Sequence, residues 1–168
     1  MPVTETRRQL LVVWHSLGGS TRALVQALCE GARGQEPAVV VRCLHASRAT
    51  AADVLGCDAL VLATPETLGS ISGQMKDFLD RSYYALRGQR PGLPVTLMVV
   101  AGTDGAPTVQ QLRRVVAGLG WREVSSAVHW VTGVTPDQSA VRLPSPGPWV
   151  QARETGATLA AGLALGIH

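Results

Sequence analysis

Residues 10–24 read LLVVWHSLGGSTRAL, in which an apolar run passes through two glycines into a segment with helical spacing. The run of leucine and valine is typical of a buried strand, and the residues after Gly19 repeat their apolar positions as a helix does. Small and hydroxyl-bearing residues between the two form a turn at the amino end of the helix. This strand, turn and helix predict the first unit of an α/β fold.

The same alternation continues along the chain. Strands are predicted at residues 10–15, 38–43, 58–64, 94–101 and 124–131, and helices at about 19–32, 51–55, 72–87, 107–118 and 148–165. Most of the strand runs are almost continuously apolar, which indicates a sheet covered by helices on both faces. Because parallel neighbours need right-handed crossovers, the pattern predicts a doubly wound parallel sheet. At this length we expect residues 1–168 to form a single domain.

Composition and charge exclude several classes of protein. Hydrophobic residues make up 46% of the chain and charged residues 16%, which is typical of a folded globule. The net charge is only +3 and the arginines are scattered, so we expect a small-molecule substrate and no nucleic-acid partner. The chain lacks an apolar run of membrane-spanning length and an apolar signal core, and we expect a cytoplasmic protein. Cys29, Cys43 and Cys57 do not have the spacing of metal ligands, so no metal is predicted.

The turn after the first strand has the composition of a phosphate-binding loop. It contains Ser16, Gly18, Gly19, Ser20 and Thr21. Glycines let the backbone wrap closely around a ligand, hydroxyls donate hydrogen bonds, and the amides at a helix amino end carry about half a positive charge. The alternative is a tight turn without a ligand, since short motifs of glycine and serine are common.

Other loops of similar composition are excluded by residue type. A nucleoside-triphosphate loop needs G-x-x-x-x-G-K-[ST], but Lys76 is the only lysine and lies far along the chain. A dinucleotide loop needs G-x-G-x-x-G and an acidic residue near the end of the second strand, where Arg42 and Cys43 stand instead. The G-x-S-x-G of a nucleophile elbow is absent. A monophosphate site remains.

Three loops that follow predicted strands carry a family resemblance. SLGGST at residues 16–21 resembles the S-x-T-G-x-T phosphate loop of flavodoxin-like proteins, with Gly18 where threonine is usual. TPETLGSISGQMKDFLDR at 64–81 is similar to the P-T-x-x-G-x-(M/I)-S-x-Q-M-K-x-F-L-D-R signature of the NAD(P)H-dependent quinone and FMN reductases of that superfamily. AGTDGAPTVQQL at 101–112 resembles their S-T-G-x-x-G-G-x-E-x-T-L loop more loosely. The resemblance spans roughly residues 10–120.

The resemblance implies a flavodoxin-like fold of three layers, with five parallel strands in the order 2-1-3-4-5, and a non-covalently bound FMN. By position, the phosphate is expected to lie against Ser16, Leu17, Gly18, Gly19, Ser20 and Thr21. The isoalloxazine ring is expected to be flanked by Pro65, Glu66, Thr67, Leu68, Gly69, Ser70, Ile71, Gly102, Thr103, Asp104 and Gly105. Among these, Pro65, Leu68 and Ile71 offer apolar contact to the dimethylbenzene end.

The implied activity is the transfer of hydride or electrons from NADH or NADPH to a quinone-like or other small acceptor. No catalytic side chain is predicted, because hydride transfer is the chemistry of the cofactor. One alternative is a flavodoxin-like electron carrier, although the chain is only 4% aromatic and basic, whereas such carriers stack aromatic rings on the flavin and are acidic. Another is a binding module without flavin, since Gly18 removes one hydroxyl from the phosphate loop at a cost of about 1 kcal/mol.

Several other residues receive structural interpretations. His15 is interpreted as a packed residue at a strand end, and Tyr83 and Tyr84 as core and interface residues of an expected homo-oligomer. Inward-facing positions of the helix at 72–87 are predicted to be Met75, Phe78, Leu79 and either Tyr83 or Leu86. His129, Trp130 and Trp149 bracket the proline-rich segment 132–149, which is expected to form a loop, and are hypothesised to line a substrate site at a neighbouring subunit.

Overall fold

The computed structural model describes residues 7–35, 37–133 and 146–168. Their strands and helices alternate as the sequence predicts. In chain order they are β1 (Arg8–Trp14), α1 (Ser20–Arg33), β2 (Val39–His45), α2 (Ala51–Leu55), β3 (Ala59–Thr67), β4 (Ser70–Ile71), α3 (Gly73–Leu86), β5 (Pro94–Ala101), α4 (Ala106–Gly118), β6 (Arg122–Glu123), β7 (Val128–Val131) and α5 (Pro146–Ala164). None of these helices is long and apolar enough to cross a membrane.

The central sheet has the predicted doubly wound order. Its strands run β2-β1-β3-β5, with β6 and β7 both parallel to β5 at the last position, while β4 pairs antiparallel with β3. The predicted continuous strand at 124–131 is wrong, since β6 and β7 are separated there. In the gap, the Ser125 hydroxyl hydrogen-bonds to the Thr96 hydroxyl at 2.9 Å, so side-chain bonding replaces part of the ladder.

Helices cover both faces of the sheet and produce three layers. In β1, Leu10 and Val12 face the core under α1 and α5, whereas Leu11 and Val13 face the core under α2, α3 and α4. All four of these side chains have 0% exposure, as a strand buried on both faces requires. Complete burial of each such side chain stabilises the fold by about 1.5–3 kcal/mol. That residues 1–168 form a single domain remains a prediction.

Helices α1 and α5 pack with their backbones in close contact. A β-carbon on Gly31 of α1 would overlap the carbonyl oxygen of Arg153 in α5, and one on Gly156 would overlap the carbonyl oxygen of Leu28. Both positions therefore require glycine for the helices to approach this closely. The contact anchors α1, whose amino end follows the first loop.

The inner face of α3 is largely as predicted. Met75, Phe78 and Leu79 are buried, and the fourth inward residue is Leu86 rather than Tyr83, which is exposed. The interpretation of Tyr83 and Tyr84 as core residues is therefore wrong, because both side chains lie on the outer face of the helix.

The proline-rich segment divides into two parts. Residues 134–145 lie outside the described residues, so their predicted loop structure remains a prediction. Pro146 and Pro148 belong to the first turn of α5 rather than to a loop. Backbone amides in the first turn of a helix have no acceptor within the helix, so proline, which lacks an amide proton, loses no hydrogen bond there.

Candidate functional site

The three predicted site loops meet at one edge of the sheet. They follow the carboxyl ends of β1, β3 and β5, which are neighbours in the order β1-β3-β5. The chain winds from β1 toward β2 on one side and from β3 toward β5 on the other. Ligands of open α/β sheets bind at such a reversal of strand order.

The first loop is shaped by its own backbone. Gly19 adopts a φ of 95°, a left-handed conformation that favours glycine, and its amide donates to the Ser16 hydroxyl oxygen at 3.0 Å. No side-chain bond caps the amino end of α1, and the first turn of α1 has no acidic residue. The loop therefore presents an electropositive helix end at the edge of the sheet.

Side chains of the first loop differ in how far they are open to a ligand. Leu17 is exposed and Ser16 and Ser20 are half-buried, but Thr21 is only 1% exposed and packs inward. Gly18 has no heavy atom within 4 Å of the position that a β-carbon would occupy. A larger residue at position 18 would therefore fit without displacing the loop.

The second predicted loop is a β-hairpin. β3 extends through Thr67 and pairs with β4, so the prediction that the strand ends at residue 64 is wrong. Leu68 and Gly69 form the two-residue tip, with φ of 52° and 70°. Two positive φ values match the right-handed twist of paired strands, which explains why the chain turns back here instead of forming an open loop.

Leu68 is unusual in both conformation and exposure. Left-handed backbone costs a non-glycine residue about 1–2 kcal/mol, and the leucine side chain is fully exposed at the tip. Of the three predicted apolar ring contacts, Pro65 and Ile71 are buried, so only Leu68 is open to a ligand. Strained residues of this kind cluster at binding sites.

Long-range side-chain bonds fix the hairpin to α4. The Gln111 side-chain oxygen accepts from the Ser70 hydroxyl at 2.9 Å and from the Ile71 amide at 3.1 Å. Gln111 was not predicted as a site residue, because no local pattern distinguishes it from the neighbouring glutamine. Its role depends on the packing of α4 beside β4.

Glu66 joins the second loop to the third. Its carboxylate accepts from the Gly105 amide at 3.1 Å and from the Thr108 hydroxyl at 2.7 Å. Gly105 precedes α4 and Thr108 lies in its first turn, so Glu66 supplies the cap and the negative charge that the helix amino end favours. The sequence predicts that Glu66 flanks the ring. In the structure its carboxylate is hydrogen-bonded to the third loop and to α4.

The third loop, residues 102–105, also forms a hydrogen bond with β7. His129 donates from Nε2 to the Asp104 carbonyl oxygen at 2.5 Å. Gly105 has a φ of 83°, and a β-carbon there would collide with the His129 ring. Glycine is therefore required both by backbone conformation and by the close approach of the imidazole.

The hypothesis that His129, Trp130 and Trp149 share one substrate site is not supported by their positions. Trp130 of β7 and Trp149 of α5 pack against the core that α1 and α5 cover. His129 bonds instead to the third loop. Adjacent residues of a strand point to opposite faces, which separates His129 from Trp130.

A buried hydrogen-bond chain links the first and second loops. His15 Nδ1 and the Ser72 hydroxyl are hydrogen-bonded at 2.7 Å, and the Ser72 oxygen accepts from the Thr64 hydroxyl at 2.9 Å. Burial of the ring lowers the pKa of His15, and the nearby charge of His45 lowers it further, so the neutral imidazole is favoured. This agrees with the interpretation of His15 as a packed residue.

Within the described residues, no group of three or more His, Cys, Asp or Glu side chains is placed to hold a metal. The arrangement instead offers three loops at one edge. The first has an electropositive helix end, the second an exposed apolar tip, and the third exposed backbone beside a helix amino end. Such a set suits an elongated ligand with an anionic end and a flat, partly apolar end.

Comparisons with known proteins agree with this geometry. The chain is 34% identical over 84 residues to a flavodoxin of Aquifex aeolicus, covering 50% of this chain and 45% of that protein. It is 31% identical over 93 residues to an NAD(P)H dehydrogenase (quinone) of Acidithiobacillus ferrooxidans, covering 44% and 46%. The chain thus spans about half the length of the curated relatives it matches.

Solved structures share the fold over nearly the whole chain. A flavodoxin from the domain Archaea superposes with a TM-score of 0.75 at 15% identity, covering 92% of this chain and 98% of that one. A flavodoxin, WrbA-like protein from Agrobacterium tumefaciens superposes with a TM-score of 0.71 at 22% identity, covering 95% and 98%. A family described as NADPH-dependent FMN reductase matches residues 15–135. This chain therefore belongs to the NADPH-dependent FMN reductase family.

Proposed function

We propose that the protein is an FMN-dependent oxidoreductase that passes electrons from NADH or NADPH to a quinone-like or other small acceptor. The observation that carries the proposal is the joining of three loops at the strand-order reversal. Ser72 and His15 connect the first loop to the second, and Glu66 connects the second to the third. Family membership supports FMN as the ligand that this arrangement takes.

The first loop has a donor set that fits the phosphate of FMN. The bond from Gly19 uses a lone pair of the Ser16 oxygen, and the Ser16 hydroxyl proton can donate to a phosphate oxygen. Amides at the amino end of α1 supply further donors and a favourable dipole. Because the Thr21 side chain is enclosed, we propose that Thr21 contributes its backbone amide.

The second and third loops fit the flavin ring. Leu68 offers an exposed apolar surface, and the backbone of residues 102–105 offers polar groups for a pyrimidine edge. The Thr67 hydroxyl is buried without a hydrogen-bond partner in the described residues, which leaves a donor unused on the strand that leads to Leu68. When bound, FMN supplies the hydride and electron chemistry, and the chain binds it and orients its ring.

We propose a homo-oligomer, since Tyr83 and Tyr84 place two aromatic side chains in edge contact on the exposed face of α3, with ring centroids 5.3 Å apart. Exposed aromatic side chains are enriched at protein interfaces. We also propose that the protein is cytoplasmic. Light scattering of Tyr84→Ser against wild type tests the oligomer.

The experiment that tests the function is FMN titration followed by steady-state oxidation of NADH and NADPH with a quinone. We expect quenched FMN fluorescence, a raised Tm in excess FMN, and turnover that needs both FMN and acceptor. FMN binding with almost no turnover would favour an electron carrier. An unchanged Tm and spectrum in excess FMN would reject the flavin site altogether.

A further inference from the structure

The peptide bond between Asp104 and Gly105, in the third loop, is held at both of its polar atoms. Its carbonyl oxygen accepts from His129 Nε2 at 2.5 Å, and its amide donates to the Glu66 carboxylate at 3.1 Å. His129 lies on β7 and Glu66 on β3, and both strands pair with β5, which leads into the loop. Because the carbonyl and the amide of a trans peptide point in opposite directions, each end of this peptide is held by a different strand.

Both partners of this peptide are themselves fixed in place. The other oxygen of the Glu66 carboxylate accepts from the Thr108 hydroxyl at 2.7 Å, which sets the orientation of the carboxylate. The His129 ring lies so close to Gly105 that a β-carbon there would collide with it. Gly105 is buried, so a rotation of the peptide would break both hydrogen bonds and leave a buried amide without a partner. The peptide is therefore locked in one orientation.

Other polar groups on this side of the third loop are also in use. The Gly105 carbonyl accepts from the Val109 amide at 3.1 Å, and the Asp104 carboxylate accepts from the Ala106 amide at 3.1 Å. Both bonds attach the loop to the first turn of α4. Asp104 and Gly105 thus use most of their polar groups to hold the loop.

Thr103 differs from the two residues that follow it. It is exposed, and within the described residues its amide, its carbonyl and its hydroxyl have no hydrogen-bond partner. On its other side, the Gly102 carbonyl accepts from the Gly133 amide at 2.9 Å. Thr103 therefore offers two donors and two acceptor oxygens at the edge of the sheet where the three loops meet.

We propose that His129 and Glu66 are positioning residues, which lock the peptide between Asp104 and Gly105 so that Thr103 binds the pyrimidine edge of the flavin ring. This inference rests on the proposed FMN site. It narrows the hydrogen bonds expected from residues 102–105 to the groups of Thr103, because the polar atoms of the locked peptide are already bonded. His129 and Glu66 act through the backbone of the loop and need not touch the flavin.

Amide hydrogen exchange of the full chain, followed by NMR with and without FMN, tests both parts of the proposal. The Gly105 amide should exchange slowly in both states, because its bond to Glu66 needs no ligand. The Thr103 amide should exchange rapidly in the free protein and at least about tenfold more slowly once FMN is bound. Rapid exchange at Gly105 in the free protein would overturn the locked peptide. Unchanged exchange at Thr103 with FMN bound would overturn its contact with the ring.

Two substitutions of His129 separate its hydrogen bond from its bulk. His129→Phe keeps a ring beside Gly105 and removes the donor, whereas His129→Gln restores a side-chain N–H donor. We expect His129→Phe to speed exchange at Gly105 and to weaken FMN binding about fivefold, and His129→Gln to behave as wild type. Because residue 129 is exposed, the three proteins should unfold at similar urea concentrations.

The proposed function would fail in a different way from this inference. Wild type that does not bind FMN would reject the flavin site and the contact of Thr103 with it, while exchange at Gly105 in the free protein would still test the locked peptide. Equal FMN affinities of wild type and His129→Phe would reject only the positioning role of His129. The exchange measurement on wild type needs no variant, so it decides the matter even if His129→Phe does not fold.

Discussion

The first loop and the pair formed by the second and third loops are held in different ways. Residues 16–19 owe their shape to a local bond between Gly19 and Ser16 and to the left-handed backbone of Gly19. The other two loops are held by bonds between residues 39 to 42 positions apart, through Glu66 and Gln111. Short-range geometry thus shapes the proposed phosphate end, and tertiary contacts shape the proposed ring end.

The two regions should tolerate substitution to different extents. A loop shaped by its own backbone accepts new side chains wherever space is open, as it is at Gly18. Loops held by a shared carboxylate lose their arrangement when that carboxylate is removed, because buried donors are left without partners. Substitutions in the two regions should therefore have effects of different size and sign.

The largest effect is expected for Glu66→Ala. It removes both bonds that the carboxylate accepts from Gly105 and Thr108, and bonds to charged groups contribute about 1.5–3 kcal/mol each. We expect the free energy of unfolding to fall by about 3 kcal/mol and the FMN affinity to fall at least about tenfold. Urea unfolding and FMN titration measure these, with exposed Glu154→Ala as the control. If the variant bound FMN with unchanged affinity, the Glu66 carboxylate would not be needed for FMN binding.

Gly105→Ala and Gly18→Ala compare the two regions directly. Alanine at 105 meets a positive φ and the His129 ring, and we expect a loss of about 2 kcal/mol in the free energy of unfolding. Alanine at 18 meets open space, and the change should stay within about 0.5 kcal/mol. Thermal and urea unfolding measure both. Equal losses would contradict the distinction between the regions.

The lowered pKa of His15, which lies between the two regions, predicts that the free energy of unfolding depends on pH. Its pKa is lowered in the folded protein by burial and then by His45, so the unfolded chain binds more protons between that pKa and 6.5. The stabilising contribution is complete above pH 6.5 and is lost as pH falls, at no more than about 1.4 kcal/mol per pH unit. Urea unfolding from pH 7.5 to 5.5 should show a shallower loss for His15→Asn. Identical slopes would mean that His15 does not titrate with unfolding.

Gly18→Thr tests whether the first loop accepts a further donor. The added hydroxyl should strengthen FMN binding by about 1 kcal/mol, close to fivefold, since position 18 is open and its backbone is unstrained. FMN titration measures the change, and Gly18→Val is the control with similar shape and no hydroxyl. Equal affinities of the two variants would argue that the phosphate lies elsewhere.

The smallest effect is expected at the hairpin tip. Leu68→Asn replaces a strained residue by one that accepts left-handed backbone more readily, and should raise the free energy of unfolding by about 0.5–1 kcal/mol. The same change removes the exposed apolar surface and should weaken FMN binding. Urea unfolding and FMN titration of the same variant test whether stability rises while FMN affinity falls. A variant that is more stable and binds FMN as tightly would show that Leu68 is not a ring contact.

Much of the fold was predictable because its signals are local. Continuous apolar runs identify strands buried on both faces, and helical spacing identifies the helices between them. Bounds were missed where a side chain competes with the ladder, as at Ser125, or where a strand continues into a tight turn, as at Leu68. The burial of Leu86 instead of Tyr83 was open in the sequence, since both fit the helical stripe.

The candidate site was predictable in position and not in its internal bonds. Parallel strands bring their carboxyl ends to one edge, so the loops had to meet there. Neither Gln111 nor the bond from His129 to Asp104 has a local signal, because each depends on which residue of another element lies opposite. That these loops bind FMN stays a prediction for titration to test.

The amino-acid sequence was enough to establish the alternation of strands and helices, the small residues of the first loop and the family signature after the third strand. These follow from periodicity, residue size and hydroxyl content, which need no partner. The contacts between elements required the tertiary structure: Glu66 caps α4, and the second loop is a hairpin with Leu68 at its tip. Hydrogen bonds act over about 3 Å, so such partners meet only once the elements have packed.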